Sequence, residues 1–440
     1  MTGVDFTLVA TCDLAGHVRG RSFSAGQLPG RLDSGVGWVP ANIAITAFGE
    51  LAESALSGPL GDLRLRPDPA ASVRLDPISD GGAFQVTLAD IVNLDYSPWS
   101  CCPRQVLRRA LAALQAEFGL SVRASFEHEF SILGPDGSVL PRGGPPFTVG
   151  ALRWLEPFGS DLVTALDRAG FEPDNWLAEF GPNQFEITLA PCDALAAADR
   201  AVLLRELVRD LAGRHGRRAS FSPLIQPKAI GNGVHVHFSL CDADREPVLY
   251  DPSAAGGLSS AGSSFAAGIL AHGKAICALT APSVVSYLRM RPHTWSTAHI
   301  SLGLRNRESM LRICPTVGTR DIAGQYNLEF RAADATANPW LVMAAVVLAG
   351  LDGLRAQMPR PPVVEGDPDG WTQAQRESAG IAPLPGSLDE ALDVLATDEV
   401  AGQWLGPELL GAYLAVKGNE MAALKGASAE TICERYTDVY

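Results

Sequence analysis

Four short segments of the sequence carry charged or imidazole side chains two residues apart among strand-forming residues. The pairs are Glu127 and Glu129, His235 and His237, Arg305 and Arg307, and Glu329 and Arg331. Residues i and i+2 of a β-strand point to the same face, so each pair would aim two functional groups at one place. One such pair could be a solvated strand face. Four pairs in apolar surroundings favour a common site.

Two further carboxylates, Glu179 and Glu186, flank a turn at Gly181 and Pro182. The candidate metal ligands are then Glu127, Glu129, Glu179, Glu186, His235 and Glu329. Carboxylate oxygens with an occasional imidazole suit hard divalent cations, here Mg²⁺ or Mn²⁺. Buried carboxylates that close together would repel one another without a cation. Six ligands suit two metal ions, an arrangement typical of sites that bind phosphate.

Arginines recur in the second half of the chain, with no Walker loop to hold phosphate. They are Arg289, Arg305, Arg307, Arg312 and Arg331. Guanidinium groups form charge-assisted, often bidentate hydrogen bonds with phosphoryl groups and carboxylates. Metals and arginines, not a glycine-rich loop, would therefore hold the phosphates.

The order of predicted elements indicates an α+β protein with two domains. Short strands broken by Gly and Pro predict a small β-rich domain over residues 1–100. Strand-like and helix-like runs then alternate over residues 101–440, which predicts a catalytic domain with a largely antiparallel sheet. The stretch from Pro359 to Pro385 reads as an exposed loop before two closing helices.

Composition restricts the classes of partner. The chain has 440 residues, 47% of them hydrophobic, and a formal net charge of -14. That charge argues against nucleic acid and anionic lipid, so small molecules are the expected partners. The N-terminus shows no signal-peptide pattern, and the longest apolar stretch, Trp340 to Leu351, is too short for a membrane span, so we expect a cytoplasmic protein. The 8 cysteines are scattered and predict neither zinc nor disulfides.

The motifs FEHEF, EFGPNQFEI, GNGVHVHFS, RNRESMLRI and LEFRAADATANPW occur in the order and spacing of the glutamine synthetase family, which the chain resembles over nearly its whole length. The resemblance implies a small β-grasp-like N-terminal domain and a catalytic domain with a curved antiparallel sheet flanked by helices. It also implies ATP and two or more divalent ions as cofactors. Glu129, Glu179 and Glu186 resemble the ligands of one metal, and Glu127, His235 and Glu329 those of the other.

The resemblance further assigns roles around the nucleotide and the acid substrate. His237, Ser239 and Arg312 resemble nucleotide contacts. Arg307 resembles the arginine that stabilises the transferring γ-phosphate, and together with Arg289 and Glu329 it makes up the expected catalytic set. Arg289 and Arg331 resemble partners of the substrate carboxylates, and Gly231 lies where the family's loop contacts glutamate.

The sequence departs from the ammonia-using pattern at the expected amine site. Where such enzymes carry a glutamate over the ammonium ion, this chain reads RMRPHTW and places Trp295. The segment GVGWVPANIAITAFGEL also lacks the DGSS stretch that helps to bind ammonium. Ile230 replaces an asparagine of the glutamate loop, for which Asn232 could compensate, and Asn327 stands where the family has arginine. An aromatic surface in place of an anionic wall favours a bulkier, less polar amine as the substrate.

The sequence therefore predicts an ATP-dependent ligase that forms a γ-glutamyl amide from glutamate and an organic amine. Glutamine synthetase itself, using ammonia, is the near alternative. A non-catalytic structural or regulatory relative and a guanidino phosphotransferase are more remote ones. The resemblance also implies a ring, hexamer or dodecamer, with active sites between subunits. The amine, the choice between Mg²⁺ and Mn²⁺ and the pathway stay open.

Overall fold

In the computed structural model, which describes residues 4–75 and 82–440, the N-terminal part of the chain forms a five-stranded sheet. Its strands are β1 (Phe6–Cys12), β2 (Val18–Ser24), β3 (Val36–Trp38), β4 (Leu63–Leu75) and β5 (Phe84–Val92). They lie in the order β2-β1-β5-β4-β3, with β1 and β5 parallel and the other pairs antiparallel.

The rest of the chain is built around an 11-stranded sheet. Its strands are β6 (Ser121–Leu133), β7 (Pro173–Ala178), β8 (Gln184–Leu189), β9 (Cys192–Asp193), β10 (Arg218–Ser220), β11 (Val234–Cys241), β12 (His299–Leu304), β13 (Ser309–Ile313), β14 (Leu328–Phe330), β15 (Val363–Val364) and β16 (Ala382–Pro383). The main path runs β15-β12-β13-β14-β11-β6-β8-β7, with β9 and β10 paired to β6 and β16 to β12. All pairs are antiparallel except β12 with β13 and with β15, so the sheet is largely antiparallel as expected.

Helices cover this sheet and join it to the first one. They are α1 (Pro103–Phe118), α2 (Val149–Trp154), α3 (Phe158–Arg168), α4 (Ala194–Arg214), α5 (Ser260–Ala271), α6 (Gly273–Thr280), α7 (Val284–Arg289), α8 (Ile322–Gln325), α9 (Pro339–Arg355), α10 (Gln373–Ser378), α11 (Leu388–Thr397), α12 (Pro407–Ala423) and α13 (Ala429–Val439). Helix α4 contacts β4 of the first sheet and β6 of the second. A single core therefore spans both sheets.

The apolar run from Trp340 to Leu351 lies in α9, which packs against α1, α4, α5 and α6. Its side chains are buried almost all round the helix, which explains an apolar run without an amphipathic period. The Asn338 side chain caps its start by accepting hydrogen bonds from the amides of Trp340 and Leu341. Within residues 4–75 and 82–440, no helix combines the length and apolarity that a membrane crossing requires.

Three local predictions were wrong. Arg305 and Arg307 do not lie on a strand but in the turn between β12 and β13, where Arg305 adopts a left-handed φ of 57°. The stretch from Pro359 to Pro385 is not simply a loop, because β15 and β16 pair with β12 and α10 lies between them. Three α-helices, not two, follow it. The boundary near residue 100 falls in the turns between β5 and α1 and stays a prediction.

Candidate active site

Cross-strand register gathers the predicted metal ligands at one place on the large sheet. His235 of β11 lies opposite Glu127 of β6, and Glu129 of β6 lies opposite Glu186 of β8. On the other side of β11, His237 lies opposite Glu329 of β14. Directly opposed residues of neighbouring strands share a face, so the two-residue spacing on each strand produces a cluster across four strands.

All six predicted ligands line a single cavity of about 380 Å³. The sixth, Glu179, follows the end of β7, and its Oε2 accepts a hydrogen bond from the amide of Phe180 at 3.0 Å. Arg307, Arg312, Arg331, His237 and Trp295 line the same cavity. The structure therefore brings together side chains that lie up to about two hundred positions apart in the sequence.

One half of the cluster is formed by Glu127, His235 and Glu329, whose nearest ligand atoms lie within 4.8 Å of one another. His235 Nδ1 is 3.2 Å from Glu127 Oε2 and 3.6 Å from Glu329 Oε1. The other ring nitrogen, Nε2, is buried and has no hydrogen-bond partner among the described residues. An imidazole nitrogen, here Nδ1, close to the oxygens of two carboxylates is a donor set that fits a divalent cation.

The other half consists of Glu129, Glu179 and Glu186, and it is an accumulation of like charge. Burial, reinforced by the neighbouring carboxylates, raises the pKa of Glu186 to about 10. Burial and the charge of Glu129 raise the pKa of Glu179 to about 7. Carboxyl groups whose pKa is raised by burial and by neighbouring carboxylates ionise readily only when a cation compensates their charge. Carboxylate oxygens are also the ligands that Mg²⁺ and Mn²⁺ prefer.

Histidines and arginines keep the remaining carboxylates ionised. Burial alone would raise the pKa of Glu127, yet hydrogen bonds with His235 and His237 hold it well below its usual range. Glu329 is likewise buried, but the charge of Arg331 lowers its pKa to about 2. Arg312 Nη1 donates to Glu329 Oε2 at 2.6 Å, and Arg331 Nη1 donates to Oε1. Glu329 is therefore an ionised acceptor held between two guanidinium groups.

The predicted arginines fall into three positions. Arg307, Arg312 and Arg331 line the cavity, and Arg331 also donates from Nε to the Arg307 carbonyl at 2.9 Å. Arg289 does not line it: this side chain is 2% exposed, and its Nη1 donates to the Ala333 carbonyl at 3.1 Å. Arg305 is exposed in its turn and also lies outside the lining.

Glycines cover Arg289. A Cβ on Gly233 would lie 2.2 Å from Arg289 Nη2, and a Cβ on Gly231 would lie 2.1 Å from the Pro223 carbonyl oxygen. Gly231 is not part of the cavity lining, and its carbonyl accepts a hydrogen bond from Gln184 at 2.8 Å. Asn232, which could have compensated for Ile230, instead donates to the Ser222 carbonyl at 2.9 Å, while Ile230 itself faces the cavity.

A second cavity of about 400 Å³ adjoins the first and shares Glu127 and His237 with it. Ser239 lines this second cavity, together with Asn327. His237 Nδ1 lies 2.9 Å from Asn327 Oδ1. The predicted nucleotide contacts are therefore divided: Ser239 faces one space, Arg307 and Arg312 face the other, and His237 lies between them.

Two buried residues of the site were missed by the sequence interpretation. Gln184 donates to Glu129 Oε2 at 3.0 Å and to the Gly231 carbonyl, and it lies two residues before Glu186 on β8, the spacing that could have indicated it. Cys314 Sγ is 3.7 Å from His237 Nδ1 and 3.8 Å from Glu329 Oε2. No local pattern distinguishes Cys314 from the other buried cysteines.

Comparison with known proteins decides the family. Residues 2–99 match the family model of the glutamine synthetase N-terminal domain, and residues 100–436 match that of the glutamine synthetase catalytic domain. The chain belongs to the glutamine synthetase family. The family assignment expected from the motifs is thereby confirmed.

Relatives within the glutamine synthetase family cover the whole chain. A gamma-glutamylpolyamine synthetase, GlnA3, of Streptomyces coelicolor is 33% identical over 440 residues, covering 99% of this chain and 93% of the relative. A glutamine synthetase of Halobacterium salinarum is 30% identical, and the match covers 100% of this chain and 94% of the relative. Among solved structures, a novel glutamine synthase homolog superposes with a TM-score of 0.91 at 43% identity, covering 100% of this chain and 99% of that structure. A GmaS complex with ADP superposes with a TM-score of 0.83 at 26% identity, covering 97% of this chain and 95% of that structure.

Family membership confirms the predicted fold class, enzyme class and cofactors. The protein has the glutamine synthetase fold and is an ATP-dependent carbon–nitrogen ligase that uses ATP and a divalent metal, Mg²⁺ or Mn²⁺. Bound divalent cations neutralise the charge of phosphate oxygens during phosphoryl transfer. The residue roles given above stay predictions.

Proposed function

We propose that this ligase joins the γ-carboxylate of glutamate to an organic amine, with conversion of ATP to ADP and phosphate. The class of amine includes polyamines, ethanolamine, alkylamines and aromatic amines. The observation that carries the proposal is Trp295, an aromatic residue on the wall of the catalytic cavity where ammonia-using relatives are expected to present a carboxylate. Its support is the similarity of the chain to a gamma-glutamylpolyamine synthetase, at 33% identity over 99% of the chain.

In the first step, the γ-phosphoryl group of ATP is transferred to the side-chain carboxylate of glutamate. We assign Glu127, Glu129, Glu179, Glu186, His235 and Glu329 to the two cations. Arg307 and Arg312 line the same cavity, and their guanidinium groups would donate hydrogen bonds to the equatorial oxygens of the moving phosphoryl group. His237 and Ser239 would contact the nucleotide from the adjoining cavity.

In the second step, the unprotonated amine attacks the carbonyl carbon of the acyl phosphate. A carbon–nitrogen bond forms, phosphate leaves and the nitrogen loses a proton. Water must be excluded, because it would hydrolyse the same intermediate. The apolar side chains of Phe147, Leu177, Ile230 and Trp295 on the cavity wall would limit its access.

The substrate carboxylates would bind at the arginine-rich side of the cavity. We assign direct contact to Arg331, which is part of the cavity lining. Arg289 would support this region from beneath the Gly231 to Gly233 segment, because it packs against these glycines and is not part of the cavity lining. The two arginines would therefore play different parts, with Arg289 fixing the backbone on which glutamate rests.

The test is an amine screen with glutamate, ATP and Mg²⁺ or Mn²⁺, read out by phosphate release and by the mass of the amide product. The panel contains ammonium, methylamine, ethanolamine, butylamine, benzylamine, putrescine and spermidine. We expect at least one organic amine to exceed ammonium in kcat/KM by about tenfold or more. The highest kcat/KM with ammonium would contradict the proposal.

Glutamine synthetase activity is the second candidate, and the relative from Halobacterium salinarum favours it at 30% identity. The same screen separates the two. A Trp295→Glu variant sharpens the separation, because it replaces the aromatic surface with a carboxylate that binds the ammonium ion but offers no apolar contact to a carbon chain. It should shift the preference toward ammonium by raising the ratio of kcat/KM for ammonium to that for butylamine.

We also infer that the protein assembles as a ring, hexamer or dodecamer, in which the N-terminal domain (residues 1–100) of one subunit completes the site in the catalytic domain (residues 101–440) of its neighbour. Support comes from the resemblance of the chain to the family along its full length. Light scattering with activity measured across the elution profile tests the inference. A fully active monomer would contradict it.

A further inference from the structure

The catalytic cavity has an aromatic rim in addition to its predicted metal ligands and arginines. Phe147 and Trp295 line the cavity with exposed fractions of 55% and 49%. Phe180 is 44% exposed and stacks on Trp295 with ring centroids 6.3 Å apart. Large apolar side chains exposed together beside a cavity are typical of a binding surface. We call these three residues the aromatic rim.

The backbone of the rim is held in an unusual conformation. Phe147 and Trp295 have left-handed φ values of 59° and 58°, which large residues seldom adopt. Surrounding contacts must enforce such a conformation, and residues held in this way concentrate at ligand sites. The Trp295 carbonyl accepts a hydrogen bond from Arg331 Nη2 at 3.2 Å, which ties this part of the rim to an arginine of the cavity.

Hydrogen bonds tie the loop that carries Phe147 to the segment that carries the predicted metal ligand Glu179. The Phe147 amide donates to the Ala178 carbonyl at 3.0 Å. Asn183 Nδ2 donates to the Leu140 carbonyl at 2.7 Å. Arg142 Nη2 donates to the carbonyls of Phe180 and Gly181. Phe147 and Phe180 are therefore fixed relative to the catalytic groups.

The charges around the rim argue for apolar recognition. Among the described residues that line the cavity, every carboxylate belongs to the predicted metal-binding set. Leu177 and Ile230 add further apolar surface to the same cavity. This side of the cavity offers van der Waals contact to a carbon chain and no further carboxylate for an ion pair.

We propose that the aromatic rim binds the carbon chain of the amine substrate, so that the enzyme selects primary amines by the length of an unbranched hydrocarbon chain. Phe147 is the specificity-determining residue that this adds. The inference rests on the proposed function, because it names the part of the amine that the same site recognises.

The test is the ratio of kcat/KM for hexylamine to that for methylamine. In the unmodified enzyme, kcat/KM should rise about twofold to fourfold per added methylene until the chain passes the rim. Phe147→Ala and Trp295→Ala should each lower the ratio by about tenfold. Phe147→Leu keeps an apolar side chain, so this variant should retain most of the preference for hexylamine over methylamine. Val149→Ala is the matched control. Val149 lies two positions after Phe147, is 74% exposed and does not line the cavity, so its substitution should leave the ratio unchanged.

The outcomes separate the two proposals. If no primary amine is used in place of ammonium, the proposed function fails. If amines are used but the ratio is flat in the unmodified enzyme, or survives both alanine substitutions, the role of the rim fails while the ligase function stands. Phe180→Ala provides a second variant should Trp295→Ala not fold, and thermal unfolding of each variant verifies folding.

Discussion

Gln184 shows how one uncharged side chain can organise several parts of the site. Its Nε2 donates to Glu129 Oε2 at 3.0 Å and to the Gly231 carbonyl at 2.8 Å, and its Oε1 accepts from the Gly181 amide at 2.6 Å. The side chain is buried, with 2% exposed. It therefore fixes a predicted metal ligand, the glutamate loop and the turn after Glu179 relative to one another.

Replacing Gln184 by leucine should weaken metal binding without unfolding the protein. The substitution keeps the side-chain volume similar but removes the hydrogen bond that orients Glu129. Loss of such an outer partner typically weakens metal affinity by about 10- to 100-fold. The measurement is the Mn²⁺ concentration at half-maximal activity, with direct titration calorimetry. Gln373→Leu, on an exposed helix, is the control, and an unchanged Mn²⁺ affinity in Gln184→Leu would refute this role.

Among the elements, His272 joins three helices through two ion pairs. It lies between α5 and α6, and its Nε2 is 2.9 Å from Asp352 of α9. Its Nδ1 is 2.9 Å from Asp398, the C-terminal cap of α11. Trp404 packs edge-on against the imidazole at 5.5 Å. The protonated imidazole can donate to both carboxylates at once.

The contribution of His272 to stability should disappear at alkaline pH. Burial lowers the pKa of the imidazole, but hydrogen bonds with Asp352 and Asp398 outweigh this and raise it above 6.5. The folded state then binds more protons than the unfolded one, so the stabilisation is full below the unfolded pKa and is lost as pH rises through the folded pKa. Urea unfolding of the unmodified protein and of His272→Gln tests this near about pH 6 and about pH 9.

The difference between the two unfolding midpoints should be larger at the lower pH. A difference that is constant, or that grows with pH, would show that the imidazole does not act through its charge. His293→Gln is a useful control, since His293 also pairs with an aspartate, Asp367, but at the exposed surface. Its effect on stability should be small at either pH.

For the molecule as a whole, a buried arginine joins the two sheets. Arg104 of α1 donates to Asp199 of α4 from Nε at 2.9 Å and from Nη2 at 2.6 Å. The same group lies 2.8 Å from Asp68 of β4 and 3.3 Å from Asp90 of β5. Asp199 also accepts from the Trp340 indole at 2.8 Å. One guanidinium thus connects the N-terminal sheet to the helices behind the catalytic sheet.

Arg104→Met should destabilise the protein by about 3–5 kcal/mol, because it leaves buried Asp199 without its partner. Denaturant unfolding measures the loss. Adding Asp199→Asn removes the unpaired charge, and the double variant should therefore be more stable than Arg104→Met alone. Arg108→Met is the matched control: Arg108 also pairs with Asp68 and Asp90 but is 35% exposed, so its loss should cost about 1 kcal/mol or less. Equal losses for both arginines would refute the distinction.

The sequence by itself determined which residue types carry the chemistry and which strands carry them. Pairs such as Glu127 and Glu129 were readable because side-chain alternation along a strand is a local property that spacing reveals. The same applies to α1, whose apolar period and final Gly119 with φ 65° follow from local rules. The motif order was sufficient to indicate the family, and the match to both family models confirmed it.

Only the tertiary structure decided how these groups meet. Strand β11 lies between β6 and β14, so that His235 faces Glu127 and His237 faces Glu329. No local pattern encodes this pairing between distant segments. The conformation of turns was equally unpredictable from the sequence. Arg305 lies in a turn and not on a strand, and Phe147 has a left-handed φ beside the cavity. Arg289 lies outside the cavity that Arg307, Arg312 and Arg331 line, which no local pattern encodes either. Strand order and burial depend on the collapse of the whole chain, whereas periodicity depends only on neighbouring residues.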